Sequence, residues 1–289
     1  MPAPPQYAYP TNAEAWTFNS VPLQSAFGAW SIASFGGSRF GVPTFRGQDY
    51  QTPYRAGNSW RSKMPDSRTI TLAMWADGQG LHSTSTYPAT DQRLGFNSNL
   101  QQLRDTFFTM ASSGSVQGTL TRAWYFQQGG SPTLVTASTM AELAGSMDLT
   151  MNGRTNAGFS VDFLLADPFF YGSQQTVAVT TAGGTLNGKG EATVGLGFAS
   201  SVNAFTVQCS AACTVTNSTA GVSFTLATGP SYPVTVDVLN GTVTDNSGNN
   251  QIASLSHAGA RAWMVVLSGS NTIAVSAGTA TFKWNDAYI

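Results

Sequence analysis

Hydrophobic and polar residues alternate in several short runs of this chain, most clearly between Arg68 and Trp75. There Ile70, Leu72 and Met74 fall on one side and Thr69, Thr71 and Ala73 on the other, the two-residue period of a half-buried β-strand. Phe159, Val161, Phe163 and Leu165 alternate in the same way with Ser160, Asp162 and Leu164, up to Asp167-Pro168, where proline cannot continue a ladder. In 119–126, Leu120, Trp124 and Phe126 share a face. One segment carries the helical period instead. Leu100, Leu103, Phe107 and Met110 recur on one side, Ser98 and Gln101 stand at capping-box spacing, and Ser112, Ser113 and Gly114 follow. The spacing predicts a helix that starts at Ser98 and stops near 112.

Beyond Pro168 the texture changes. Short apolar runs recur every 8–12 residues or so, separated by Gly, Asn and Ser, as in all-β sandwiches. They predict strands near 176–181, 192–199, 202–208, 222–227, 234–238, 262–267, 271–276 and 279–284. Val234, Val236 and Val238 share one face, and Ala280, Phe282 and Trp284 another. No period of 20–50 residues repeats, which excludes a solenoid or propeller. The expected fold is mainly β: a β-rich domain with one α-helix over 1–171, then an antiparallel β-sandwich over 172–289. Residues 1–16 read as an extended arm, because four prolines in the first ten residues cannot begin a helix.

The stretch before the first strand, from Phe45 to 67, has no regular period. Gly47, Pro53, Gly57 and Pro65 interrupt it, while Tyr50, Tyr54, Arg55, Trp60, Arg61 and Lys63 make it rich in aromatic and basic side chains. Two readings stand side by side: an ordered contact surface, for which Arg, Tyr and Trp are the favoured residues, or a long connection with its aromatics tucked beneath it.

Composition narrows the function classes. Charged residues are 9% of the 289 and the net charge is −1, so no global field attracts nucleic acid or a membrane. The low charge is offset by Gly, Ser, Thr, Asn and Gln, compatible with life inside a larger assembly. No apolar run reaches the ~18 residues of a membrane span, so no membrane insertion is expected. The N-terminus lacks the basic and apolar regions of a secretory signal, and synthesis in a cytoplasm is expected. Cys209 and Cys213, separated by Ser-Ala-Ala, suit either a tight hairpin that forms a late disulfide or two ordinary small side chains.

A search for chemistry finds no catalytic set. His82 and His257, the only imidazoles, fall in different expected domains and in no metal or nucleophile motif. Gly195-Leu196-Gly197 lacks the third glycine of a dinucleotide fingerprint. Asp245 with Asn246, Asn249 and Asn250 suggests a calcium loop, but without the EF-hand order of acids, so a Gly/Asn turn is the expectation. Neither metal nor cofactor is expected. Aromatics of the second half can stack on sugars; Trp263 lies in an apolar run and reads as core, which leaves Trp284 as the candidate glycan contact.

These motifs, taken in order, resemble the distal tail proteins of long-tailed, non-contractile bacteriophages, the minor tail proteins of actinobacterial phages above all. The resemblance rests on Arg46-Gly47, Asp49-Tyr50, Pro53 to Gly57, Lys63 and Asp66 to Trp75. It continues through Asn97 and Leu100, Asp167 to Gly172, Thr244 to Gly248, Arg261, Trp263, Leu267 to Ile273 and Trp284 to Ile289. Ser268 departs from it, standing where that family often has proline. The resemblance implies a galectin-like C-terminal sandwich and an N-terminal ring-forming domain. It also implies a homo-hexameric virion ring at the tail tip, joining the tail tube protein to the baseplate hub. DNA passes through such a channel without specific binding, and host glycan is a further partner. Tyr50, Tyr54, Arg55, Trp60, Arg61 and Lys63 are then the candidate subunit interface, with the arm as a second patch, because ring closure needs two different patches per subunit.

Overall fold

The computed structural model describes residues 14–24, 29–37, 43–46, 50–51, 58–59, 64–78, 92–112, 117–126, 132–144, 148–190, 205–259 and 263–289. The chain is mainly β, with one α-helix among the described residues. It divides into two compact units. The first holds Met1–Phe126 and Thr133–Pro168, the second Gln127–Pro132 and Phe169–Ile289.

In the first unit, β1 (Ala15–Phe18) and β2 (Val21–Pro22) form a tight hairpin, followed by β3 (Trp30–Gly37). Four two-residue strands come next: β4 (Phe45–Arg46), β5 (Tyr50–Gln51), β6 (Asn58–Ser59) and β7 (Met64–Pro65). The long elements are β8 (Arg68–Asp77), α1 (Gln92–Ser112), β9 (Gln117–Phe126), β10 (Thr133–Ala144) and β12 (Asn156–Leu165), with short β11 (Thr150–Met151) beside β12. Neighbours pair antiparallel: β1 with β9, β9 with β10, β10 with β12, β12 with β8, and β8 with β3. The alternation in the sequence is realised residue by residue. Ile70, Leu72, Met74, Phe159, Val161, Phe163 and Leu165 are buried, whereas Thr69, Trp75, Ser160 and Leu164 are exposed. The sheet curls on itself, since Phe18 of β1 meets Phe163 of β12 at 5.1 Å between ring centroids and Phe107 of α1 at 6.1 Å.

Helix α1 starts at Gln92, six residues before the expected cap, and Ser98 and Gln101 lie inside it. Gln101 donates instead to Asp105 Oδ1 at 2.8 Å, an i,i+4 pair on the exposed side. The earlier start follows from the buried stripe, which begins at Phe96 and continues through Asn99, Leu100, Leu103 and Phe107. Asn99 Nδ2 donates to the Asp77 carbonyl at 2.7 Å and ties the helix to the end of β8. Contact there is close enough that a Cβ on Gly95 would lie 2.6 Å from the Gly78 carbonyl oxygen.

The second unit is a sandwich of two sheets. One runs β19 (Thr242–Thr244), β18 (Val234–Asp237), β15 (Thr206–Cys209), β22 (Thr279–Tyr288), β13 (Phe170–Thr180). The other runs β14 (Gly184–Gly188), β21 (Gly269–Val275), β16 (Thr214–Asn217), β17 (Val222–Leu226), β20 (Leu255–Gly259). Phe205, Val207, Val215, Phe224, Val234, Val236, Ile273, Phe282 and Trp284 fill the space between them. The unit begins at Phe169, three residues before the expected boundary, because Phe170 and Tyr171 already pair with Tyr288 and Ala287. Strands appear at most expected places, with 192–199 outside the described residues. The run 262–267 differs: over 263–267 it is a connection and not a strand.

That connection buries Met264, Val265 and Val266 in succession, so its backbone cannot use a regular ladder and finds asparagine side chains instead. Asn217 and Asn271 are fully buried. Asn217 Nδ2 donates to the Val265 carbonyl at 2.8 Å and to Asn271 Oδ1 at 3.1 Å, and its Oδ1 accepts from Thr219 N and Ala220 N. Asn271 Oδ1 also accepts from Leu267 N, and its Nδ2 donates to the Leu267, Gly269 and Leu186 carbonyls. Ser268, the departure from the resemblance, donates its hydroxyl proton to the Gly190 carbonyl, a bond proline cannot make. Replacing Asn271 by Ala orphans several buried backbone groups and is expected to cost about 2–4 kcal/mol in urea unfolding, with Asn217→Ala similar and the pair less than additive.

Asp286, 2% exposed, holds the start of the loop after β14 through Lys189 N at 2.8 Å and accepts from Trp284 Nε1 at 3.0 Å. Burial raises its pKa above the usual carboxylate value, and the bonds from Lys189 and Trp284 only partly offset this. Its buried charge therefore weighs against folding above the folded-state pKa, and the penalty is relieved as pH falls through that value. Asp286→Asn, which keeps an oxygen acceptor, is expected to raise the unfolding temperature at neutral pH and to lose that gain in acid, measured by calorimetry from pH 3 to 8.

Candidate assembly surfaces

The described residues of the basic, aromatic stretch pair in two places. Phe45 pairs with Pro65, Arg46 with Met64, Tyr50 with Ser59 and Gln51 with Asn58. They form two separate short antiparallel pairings, the second lying in sequence inside the first. Beside the first, Asp66 N donates to the Thr44 carbonyl at 2.7 Å, and Ser67 N donates to Asp66 Oδ1 as the chain enters β8. Tyr50 sits on the β5 rung; Tyr54, Arg55, Trp60, Arg61 and Lys63 lie outside the described residues.

Residues 1–13 of the expected arm also lie outside the described residues, but its anchor is described. Ala15 and Trp16 belong to β1 and not to an arm: Ala15 pairs with Ala123 and Trp16 with Arg122. Trp16 is 1% exposed. The Arg122 guanidinium lies 5.5 Å from the Trp16 ring centroid and 4.5 Å from that of Trp124, and forms an ion pair with Glu14. Arg122 thus keeps its charge inside the unit because a carboxylate and two π-faces replace its water.

Side chains on the outward side of the curled sheet form a surface the sequence reading did not single out. On β9 and β10, cross-strand pairs place Tyr125 by Leu134, Ala123 by Thr136, Thr121 by Ser138, Thr119 by Met140 and Gln117 by Glu142. On β12 and β8, Leu164 stands by Thr69, Asp162 by Thr71, Ser160 by Ala73 and Gly158 by Trp75. Hydroxyls pair off across the strands, with Thr121 and Ser138 at 2.8 Å and Thr71 donating to Asp162 at 2.6 Å. No Lys or Arg occurs among these described outward residues; the carboxylates are Asp77, Asp162 and Glu142. Tyr125 and Leu134, exposed by 43% and 60%, make an apolar pair at one end of the β9–β10 ladder. The alternation of β10 is present in its sequence, but Ala137, Thr139 and Ala141 fill its buried side and mute the contrast.

In the second unit Trp284 is not a glycan contact. It is 1% exposed, lies in the sandwich core and donates its indole proton to Asp286; its ring shares the inward face with Ala280 and Phe282. Trp263 is half-buried against the core, and the exposed His257 meets its ring at 4.8 Å. Partial burial lowers the His257 pKa. His82 and Gly195-Leu196-Gly197 lie outside the described residues. Asp245 closes a loop on itself: Oδ1 accepts from Ser247 N, Asn249 N and Asn249 Nδ2, and Oδ2 from Asn249 Nδ2 and Gln251 Nε2. Its oxygens face protein donors, which leaves them poorly placed for a cation, and no group of three or more metal-ligating side chains occurs among the described residues. Among them, too, no helix is long and apolar enough to cross a membrane.

Comparison with known proteins gives structural likeness only. No family model and no curated protein sequence matches the chain. Its fold is similar to that of the Dit (gp 19.1) protein of SPP1, described as a paradigm of hub adsorption apparatus in Gram-positive infecting phages. The TM-score is 0.52 at 10% identity, over 96% of this chain and all of that one. Chains of the phage P2 baseplate in its activated conformation, with Ca or with Sr, match at TM-score 0.36 and 11% or 12% identity, over 94% of this chain and 98% of theirs. The chain therefore has a Dit-like, β-rich fold along nearly its whole length.

Two outcomes are expected here. The Asp245 pKa is held down chiefly by the Asn249 amide and side chain, so its stabilising contribution is present above the unfolded value and lost as pH falls through the folded one. Asp245→Ala should therefore lower the unfolding temperature at pH 7 and make much less difference at pH 2, while millimolar calcium leaves the wild-type transition unmoved. Exchanging the exposed pair (Tyr125→Ser with Leu134→Ser) should change stability by no more than about 0.5 kcal/mol while reducing self-association measured by sedimentation.

Proposed function

We propose that the protein is a structural component of a phage tail tip, a homo-hexameric ring that joins the tail tube protein to the baseplate hub and leaves a channel for DNA. It acts there as an assembly part and not as an enzyme, in the virion of a long-tailed, non-contractile phage of the actinobacterial type. The observation that carries this reading is the likeness to SPP1 Dit at TM-score 0.52 over the full length of that chain.

Local physics supports the same reading. A ring around passing DNA must not hold it, and each phosphate neutralised by a cation would add binding that has to be broken during ejection. The outward sides of β9–β10 and β12–β8 meet that requirement with hydroxyls, small side chains and three carboxylates. Ring closure also needs two unlike patches per subunit. The stretch with Tyr50, Tyr54, Arg55, Trp60, Arg61 and Lys63 is the basic, aromatic candidate, and the segment that precedes Glu14 is the other.

Electron microscopy and mass photometry of the purified chain, alone and with tube and hub proteins, should give six-fold rings with an open centre. A strict monomer under both conditions rejects the ring. A separate test addresses the channel wall. Lysines introduced at Thr119 and Thr136 on one outward face, or at Ser160 and Thr69 on the other, should give rings with salt-sensitive DNA affinity in one of the two sets. If neither set binds DNA, the wall is built from other residues.

A further inference from the structure

We propose that Cys209 and Cys213 form a dithiol site that low-molecular-weight disulfides oxidise to an intramolecular disulfide, locking the corner where the chain passes between the two sheets of the sandwich. The two cysteines do not flank a hairpin. Cys209 is the last residue of β15, where it pairs with Val234 and Ala280 in one sheet. Cys213 immediately precedes β16 of the opposite sheet. Ser210, Ala211 and Ala212 make the crossing.

Both ends of that crossing are pinned. Ser210 N donates to the Thr279 carbonyl at 2.9 Å, and Ser210 Oγ accepts from Thr279 N at 2.9 Å. Beyond the corner, the Cys213 carbonyl accepts from Leu226 N at 2.9 Å, and Thr214 N donates to Ser276 Oγ at 2.8 Å. The side chains converge between these anchors: both are free thiols, 0% and 4% exposed, and hydrogen-bonded to each other. Two sulfurs held in mutual contact by fixed backbone need little motion to reach bonding distance, which is the requirement that most cysteine pairs fail. No cluster suited to a metal competes for them among the described residues.

The pair is also polarised. The interaction with Cys213, and after it burial, pushes the Cys209 thiol up, while the same interaction holds Cys213 below the usual thiol value. Cys213 is therefore the attacking thiolate. It forms a mixed disulfide with one sulfur of the reagent and expels the other as a thiol. Cys209, giving up its proton as it attacks Cys213 Sγ, then expels the second thiol. Two protein thiols and one reagent disulfide become one protein disulfide and two reagent thiols. Entry to the site needs the corner to open, which breaks the two hydrogen bonds between Ser210 and Thr279.

The test is made on the full chain, with oxidised glutathione in sub-denaturing urea, followed by removal of both reagents. Thiols are then counted after complete unfolding, and the intact mass is measured. The expected product has lost two hydrogens, shows no titratable thiol, and regains both with dithiothreitol. Cys209→Ser should stop at the glutathione adduct on Cys213, while Cys213→Ser should react much more slowly. A wild-type chain that keeps two titratable thiols, or that retains glutathione on one cysteine without closing the ring, overturns the proposal. The outcome does not depend on whether the chain forms a tail-tip ring.

Discussion

A backbone amide or carbonyl that leaves a β-ladder inside a core must find another partner, and this chain has few charged side chains to offer. Asparagine and aspartate meet the need. Asn217 and Asn271 serve the buried connection before β21, Asp245 holds the loop after β19, and Asp286 holds the loop after β14. Asn99 does the same between α1 and β8, and Asn285 Nδ2 reaches the Gly172 carbonyl where the β13–β22 register shifts. Each is short enough to sit inside a turn and carries both donor and acceptor capacity, or two acceptor oxygens. Remove one and the main-chain groups it serves lose that partner, so these side chains help decide which connections the fold can make.

The same economy leaves the exterior of the first unit nearly neutral. Its described internal cations are Arg68 and Arg122, the latter enclosed by Trp16, Trp124 and Glu14; the outward strand positions hold hydroxyls, alanines, a few large apolar groups and three carboxylates. Such a surface has little long-range field to select a partner, so recognition falls to shape and to the edges of the sheets. Of the 13 Lys and Arg residues, Arg46, Arg55, Arg61 and Lys63 fall close together in sequence between β4 and β7.

Much of this was readable in the order of residues, and the failures have common causes. Burial alternates strictly along strands β8 and β12, with large apolar side chains on most inward positions; Arg68 is a charged residue turned inward, and Trp75 and Leu164 are large apolar ones turned outward. Strand β10 carries Ala137, Thr139 and Ala141 on its inward side, too little contrast to stand out. The run 263–267 looks like a strand because it is apolar, yet its ladder is replaced by two asparagines 48 and 4 residues away. No local pattern contains that information. The helix began early because Phe96 starts the buried stripe, whereas the Ser98–Gln101 spacing was coincidental. Trp284 was misjudged despite a local signal, since it has the same parity as Phe282. The two short pairings were hidden because their strands are only two residues long and one of them includes Pro65.

The anchoring of β1 has a mechanical corollary. Four successive rungs join Ala15–Phe18 to Leu120–Ala123 in antiparallel register, and the chain N-terminal to Glu14 continues from the end of that strand. Tension applied through this segment along the strand axis would load the four rungs together, in shear, and would draw Glu14 against Arg122. A tug perpendicular to the axis would instead peel the rungs one at a time, beginning at Ala15. The attachment is therefore far stronger in one direction than in the other, and it would let a neighbouring molecule pull lengthwise on the first unit without unzipping its sheet.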